Sequence, residues 1–573
     1  MHYSVGYQNP NSHFIDIDFI FEPKGEPKIT LNLPAWRPGR YELGNFAKNI
    51  QRMQAFSGSK ELSLKKITKD SWEIETEGAD EIKISYNYFA NELNAGSTYL
   101  DAEQLYVNGV NCLLYISDRQ EEECSLSIDV PENYQIACGL SKVTSNFLEA
   151  KDFHELVDSP FIASANIKHH DFETAGVRFH LWFQGECKPD FQQLERDFRP
   201  FCEYQVKLFG ELPCEDYHFM FQVLPYRAYH GVEHANSTVC LLGPSYDIFN
   251  KNGMYLELLG VSSHELFHAW NVKRIRPIEM WPFYDYSKEN YSKLGYLAEG
   301  VTTFYGDWML LRSGVFSEEE FNITFQQLLD RHFNNPGVLN MSVADASFDL
   351  WLDGYVPGVP NRKSSIYVEG ALVTFLLDII IRKNSNSKYS FDDVIKEFYS
   401  SYFLQNKGIS EEDYKKVVER FADKDLDRFF RNYVNGSEDI TELLRESLDF
   451  LGLELKKNHA VFYAESYYGI KAVFDQQKYK VLSVYPNSPA EKAGLSVDDE
   501  IITVNGFTFN NDLDRWMEYF LGEEISVVVK RKYGKVEELQ MISTKALQYA
   551  NYSIQKQENA NAEQKENYKK WCQ

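Results

Sequence analysis

The sequence predicts a multidomain α+β protein, and three changes of texture along its 573 residues carry that reading. Up to about residue 165, short alternating segments follow one another without helices. After Met254 the chain turns mainly helical as far as about 450, and from about 455 to 545 short strands return. A chain of this length exceeds a single core, and about three or four domains are expected. The divisions fall at 1–167 for an N-terminal β domain, 168–450 for an α+β domain with a helical part, 455–546 for a second β-rich domain and 547–573 for a polar tail.

In the first domain, apolar and polar residues alternate in Phe14-Ile15-Asp16-Ile17-Asp18-Phe19-Ile20-Phe21, in Lys28–Leu33 and in Glu81–Tyr86. Pro34 and Pro38-Gly39 break the pattern between them, because proline donates no ladder hydrogen bond. Several short strands with no helix between them suggest a sandwich. In the second domain a strand near Phe179–Phe183 precedes a helical pattern from Phe191 to Phe209. Strands follow around His218–Leu224 and Thr238–Leu242, and then the helices. His169-His170 read as a strand end with no partner at ligand spacing. The tail is rich in Asn, Gln, Lys and Glu, a composition suited to a polar helix or to disorder.

Composition narrows the functions available. A net charge of −26 argues against nucleic acid and anionic membranes as partners, although solubility alone explains much of it. No apolar stretch is long enough to span a bilayer. The eight cysteines are scattered without a CxxC pair, so a cysteine zinc site is not expected and reduced thiols are. The N-terminus lacks a basic segment followed by an apolar run; with no signal peptide visible, a cytoplasmic location is expected.

The chemistry is concentrated in His264-Glu265-Leu266-Phe267-His268, an instance of HExxH. Two histidines four positions apart on a helix project from one face and can reach one metal ion. The glutamate after the first is placed to take a proton from a water that the metal activates, so zinc-assisted hydrolysis of an amide bond is expected. Only 13 histidines occur in the chain, which makes a chance pairing weak. One zinc ion in a catalytic site wants a third protein ligand and leaves a position open. Glu299 is the candidate: it lies in the largely apolar helical segment Tyr296–Tyr305, where an unpaired carboxylate is costly. Glu233, in His230-Gly231-Val232-Glu233-His234, precedes a strand and could pair with a free α-amino group, but taken alone a loop residue that solvates the turn is the simpler reading. Tyr367 could donate a neutral O–H to an oxyanion, yet with 37 tyrosines present a packing role is the simpler reading.

Taken together, these residues resemble the glycyl aminopeptidases, a family of PDZ-containing zinc metallopeptidases distantly related to aminopeptidase N. The resemblance spans nearly the whole chain. It is carried by Leu33-Pro34-Ala35-Trp36-Arg37-Pro38-Gly39-Arg40-Tyr41, Leu156–Pro160, Gly231-Val232-Glu233-His234, His264 to Pro277, Leu297–Thr302 and Tyr367–Ala371. It implies a thermolysin-like (gluzincin) catalytic domain with one zinc ion on His264, His268 and Glu299. It also implies Glu265 as base, Tyr367 as oxyanion donor, and Gly231, Glu233 and His234 on the substrate, with Glu233 as the amine anchor. A preference for small N-terminal residues such as Gly or Ala follows from the family's name. Two departures stand out: an aromatic and proline-rich insert, residues 274–293, precedes Glu299, and His234 stands where the wider clan has Asn. The PDZ reading rests on Ser488-Pro489-Ala490 through Asn505-Gly506, with Tyr467-Tyr468-Gly469-Ile470 as candidate carboxylate-binding loop for a peptide C-terminus; a PDZ fold that only packs on the catalytic domain is the equal alternative. Peptides are the expected substrates. A PDZ-assisted endopeptidase and a non-catalytic peptide-binding scaffold remain as alternatives.

Overall fold

The structure, a computed structural model, describes every residue except Pro357 and Gln477. It divides into two compact units. One comprises Met1–Glu318, Ser347–Pro357 and Tyr389–Lys424; the other comprises Glu319–Ala346, Gly358–Lys388 and Asp425–Gln573. Helices of the 168–450 span therefore contribute to both.

The first unit opens with the expected β domain. An eight-stranded sheet has His2–Gly6 at its middle, parallel to Cys124–Asp129 and antiparallel to Phe14–Phe21, and two four-stranded sheets accompany it. Strand Phe14–Phe21 alternates as its sequence does: Ile15, Ile17, Phe19 and Phe21 are buried, and Phe19 stacks on Tyr3 at 4.5 Å. Next comes a five-stranded mixed sheet in the order Lys168–Thr174, Val177–Gln184, Asp216–Val223, Ser237–Gly243, Ala228–Glu233. Val177–Gln184 and Asp216–Val223 run parallel. Between them lies helix Phe191–Phe209, which starts where Asp190 accepts hydrogen bonds from the N–H groups of Gln192 and Gln193. It stops at Gly210, whose φ of 89° a side chain would resist.

The edge strand Ala228–Glu233 corrects the reading of that segment as a loop before a strand: residues 228–233 pair antiparallel with Ser237–Gly243 and turn at 234–236. Against this sheet lies the HELFH helix, Tyr255–His268, and against that helix packs Val301–Arg312, which continues from a π-helical turn, Tyr296–Gly300. The insert folds back on the β domain. Ala35 N–H donates to Tyr286 O, Trp36 Nε1 donates to Asp285 O, and Tyr284 meets the Trp36 ring edge-on at 5.5 Å.

In the second unit, helices Ile366–Asn384 and Thr441–Phe450 pack together. The PDZ domain is a sheet ordered Ile470–Asp475, Lys478–Val484, Glu500–Val504, Glu524–Lys530, Val536–Ile542, around a core that includes Tyr468, Val481, Ala490, Ile501, Met517 and Val527. Gly469 has φ 78°, and a Cβ there would lie 2.3 Å from that of Ser488, so the turn into the first of these strands demands glycine. The polar C-terminal segment folds as well. Asn551–Lys556 pairs antiparallel with Leu453–Asn458, and helix Ala562–Trp571 buries Trp571 against Phe321 and Phe375. Among the described residues, no helix is long and apolar enough to cross a membrane.

Candidate active site

The last turn of the HELFH helix brings His264 and His268 together, with their Nε2 atoms 3.0 Å apart. Glu299 approaches from the π-helical turn; its Oε2 lies 3.4 Å from His268 Nε2 and 3.9 Å from His264 Nε2. The wide turn places this carboxylate inside an apolar segment and toward the first helix, a frequent use of such irregularities. Helix Val301–Arg312 can come this close because residue 306 is glycine: a Cβ there would sit 3.1 Å from His264 Cα. Ser263 Oγ–H donates to Gly306 O at 2.6 Å and fastens the two helices at that point.

Below the histidines, Asn271 joins the helices again. Its Nδ2 donates to Leu297 O at 2.9 Å, Ala298 O at 3.1 Å and Thr302 Oγ1 at 3.0 Å. Its own carbonyl accepts a 2.6 Å bond from His268 Nδ1. That bond places a proton on Nδ1 and turns Nε2 toward Glu299.

Glu265 points the other way, against the edge strand. A Cβ on Gly231 would come within 2.1 Å of Glu265 Oε1. Glu233 joins from the end of the same strand: one carboxylate oxygen from each of Glu233 and Glu265 and a ring nitrogen of His268 lie within 4.8 Å of one another. Gly39, at φ 82°, closes over Glu233, where a Cβ would be 2.6 Å from Oε2. Glu233 Oε1 and Glu265 Oε2 are both buried without a hydrogen-bond partner among the described residues.

The electrostatics follow from three buried carboxylates in one place. Burial, opposed by His268 and reinforced by Glu233 and Glu299, pushes the Glu265 carboxyl up to about 8. Burial would lower His268, but Glu299 outweighs it and lifts the imidazole to about 9. Burial and then His268 hold His264 well below the ordinary imidazole range. The site therefore calls for positive charge between His268 and Glu299. A divalent ion fits that demand. Ligand atoms about 2.0–2.2 Å from a tetrahedral ion stand roughly 3.3–3.5 Å apart, and the observed 3.0, 3.4 and 3.9 Å bracket this spacing.

Comparisons with known proteins bear on the same regions. Residues 2–165 match the Peptidase M61 N-terminal domain, 257–373 match the M61 glycyl aminopeptidase domain, and 480–531 match a PDZ domain.

The chain belongs to the M61 glycyl aminopeptidase family.

It is accordingly a peptidase. Among solved structures, this M61 chain is similar to an aminopeptidase N family protein from Idiomarina loihiensis, with TM-score 0.91, 24% identity and 100% of each chain covered. It also matches an M1 zinc metallopeptidase from Deinococcus radiodurans, with TM-score 0.47, 13% identity and coverage of 77% of this chain and 94% of the other. A form of the latter bound to a Tyr-Ser-Ala substrate gives TM-score 0.48 and 13% identity, with the same coverage. A search of the curated proteins found no match.

Of the residues singled out in the sequence, the M61 fold thus brings His264, Glu265, His268, Glu299, Gly231 and Glu233 together. His234 is engaged elsewhere: its Nδ1 is 3.2 Å from Asp158 Oδ1, and Lys273 Nζ donates to the same oxygen at 2.6 Å. Asp158 also accepts from Ala235 N–H. This cluster pins the turn after Glu233 to the segment following the HELFH helix. Tyr367 lies in the first turn of helix Ile366–Asn384, in the second unit. Sequence reasoning assigned nothing to Asn271, Gly306 or Asp158. Asn271 and Asp158 stand inside segments that carried the family resemblance, but their roles depend on contacts with residues far along the chain.

Proposed function

We propose that this peptidase is a zinc-dependent aminopeptidase that hydrolyses the N-terminal peptide bond and prefers small residues such as Gly or Ala. The observation that carries the reading is the buried, unpartnered Glu233 Oε1 beside Glu265 and His268. A desolvated carboxylate oxygen without a donor is costly, and a substrate α-ammonium group is a donor of the right charge. His264, His268 and Glu299 would hold the zinc ion. Bound there, zinc supplies Lewis acidity, polarising the scissile carbonyl and making water a better nucleophile at neutral pH.

The chain's own residues do the rest. Glu233 fixes the substrate amine and so sets which peptide bond reaches Glu265. Glu265, raised toward neutrality by its surroundings, accepts the proton of the attacking water and delivers it to the leaving amine. Tyr367 is assigned as the neutral donor to the oxyanion on the strength of the family resemblance. The preference for Gly or Ala rests on the family's description alone.

Paired peptides with free and acetylated N-termini test the reading. Cleavage confined to the free form is expected, and equal cleavage of both would overturn it. Chelation should abolish turnover, and re-added zinc should restore it. A second reading, an endopeptidase whose PDZ domain selects chains, draws on strand Ile470–Asp475: among the described residues it pairs on one side only, with Lys478–Val484, and so offers an edge to which a peptide C-terminus could add. Internal cleavage of acetylated peptides that depends on their C-terminal residues would favour it.

A further inference from the structure

The hairpin at the outer edge of the five-stranded sheet gathers a second group of metal-ligating side chains, none of them shared with the HELFH site. In strands Lys168–Thr174 and Val177–Gln184, Asp171 is the cross-strand partner of His180, and His169 pairs with Trp182 one step along the same face. A ring nitrogen from each histidine and a carboxylate oxygen of Asp171 lie within 4.8 Å of one another, and His169 Nε2 and His180 Nδ1 are 2.9 Å apart. This corrects the expectation that His169 has no partner at ligand spacing: the partner lies across the hairpin.

Both rings are held in place. His169 stacks on Trp182 at 3.7 Å, and His180 stacks on His218 at 4.4 Å with 6° between the planes. Trp182 Nε1–H donates to His218 Nδ1, which occupies that lone pair and leaves His218 as a platform. His180 Nε2 faces Asp216 Oδ1 at 3.8 Å. With Nδ1 toward His169 and Nε2 toward a carboxylate, His180 has the arrangement in which an outer carboxylate orients a metal-bound imidazole. Burial pushes His169 down to about 4 and lowers His180 as well. Two cations border the group: Arg178, 3.5 Å from Asp171, and Lys142, over the Trp182 ring. The arginine competes for the carboxylate, which makes this a weaker site than one with three undisputed ligands.

We propose that His169 Nε2, His180 Nδ1 and Asp171 form a second divalent-metal site, suited to Zn²⁺ or another imidazole-preferring ion, with its remaining positions open to solvent. An ion there clips the edge strand to its neighbour across the hairpin.

The test uses the full chain, stripped with a chelator and titrated with Zn²⁺ alone, counting bound ions by calorimetry and elemental analysis. Two equivalents are expected for the wild-type chain. The His169→Gln and His180→Gln variants should each bind one, with unfolding temperatures in the absence of metal close to the wild-type value. His264→Gln should lose the other equivalent and keep this one, so the two sites succeed or fail separately. A single equivalent in the wild-type chain that disappears with His264→Gln would overturn the proposal and leave a plain imidazole–imidazole hydrogen bond. A second equivalent that survives the combined His169→Gln and His180→Gln changes would overturn it too.

Discussion

Glu265 lies so close to Gly231 that a single methyl group on Gly231 would come within 2.1 Å of the carboxylate. The edge strand therefore forms a wall against the proposed base. Gly231 does not have the positive φ that only glycine tolerates well, so its substitution acts through the carboxylate and not through backbone strain.

Gly231→Ala is expected to displace Glu265 while leaving the metal ligands in place. Turnover should fall by roughly 10²-fold, the cost of misplacing a reacting group by about an ångström. Zinc content and unfolding temperature should stay near wild type. Steady-state kinetics beside elemental analysis measure both, and a parallel loss of metal would mean the wall holds the histidines instead.

Glu265→Gln keeps the shape and removes the base. Turnover should drop by about 10²- to 10⁴-fold with zinc retained. Tyr367→Phe should lower kcat more than it raises KM, because an oxyanion forms only in the transition state. Retained activity in the first variant, or a pure KM effect in the second, would reassign these roles.

Asn271→Ala leaves the carbonyls of Leu297 and Ala298 and the hydroxyl of Thr302 without this donor. The turn carrying Glu299 then loses its side-chain bonds from residue 271, while Thr302 Oγ1 still donates to the backbone carbonyl there. Zinc affinity should weaken about 10- to 100-fold, as for other residues that orient ligands. Competition with a chromophoric chelator reads this directly.

The Asp158 cluster predicts acid sensitivity. Burial alone would raise this carboxyl, but Lys273 and His234 outweigh it and hold it well below the usual carboxylate range. A depressed carboxylate contributes stability above its unfolded pKa, near 4, and loses that contribution as pH falls below it. Asp158→Asn leaves Lys273 buried beside a neutral partner, at a cost of about 3–5 kcal/mol near pH 7. Denaturant unfolding of both forms should show the gap narrowing as the pH is lowered from 7 toward 3. A constant gap would mean that the charge is not responsible.

Much of this was legible in the sequence, for reasons that differ by element. The HELFH helix and the strand Phe14–Phe21 announce themselves because helical and strand periodicities are local. Glu299 could be found because a carboxylate in an apolar helix needs a partner. The strand Ala228–Glu233 was missed: His230, Gly231 and Glu233 interrupt its apolar pattern, and only the pairing with Ser237–Gly243 reveals it. His169 and His180 were separated by the same kind of limit. Their proximity depends on hairpin register, which the turn at Ala175-Gly176 sets and a scan for close-spaced ligands does not see. The composition of the segment after residue 549 suits a polar helix or disorder alike; helix Ala562–Trp571 forms, because buried Ala550, Tyr552 and Trp571 fasten the segment.

The pairing of Leu453–Asn458 with Asn551–Lys556 makes the PDZ domain an insertion between two halves of one ribbon, whose facing ends are Asn458 and Asn551. During synthesis, the first half must wait for almost a hundred further residues before it finds its mate, and Phe321 waits longer still for Trp571. A chain released early would expose that unfinished core to chaperones and proteases, whereas a PDZ domain cut out between Asn458 and Asn551 would leave two strand ends already opposite one another, ready for a short turn.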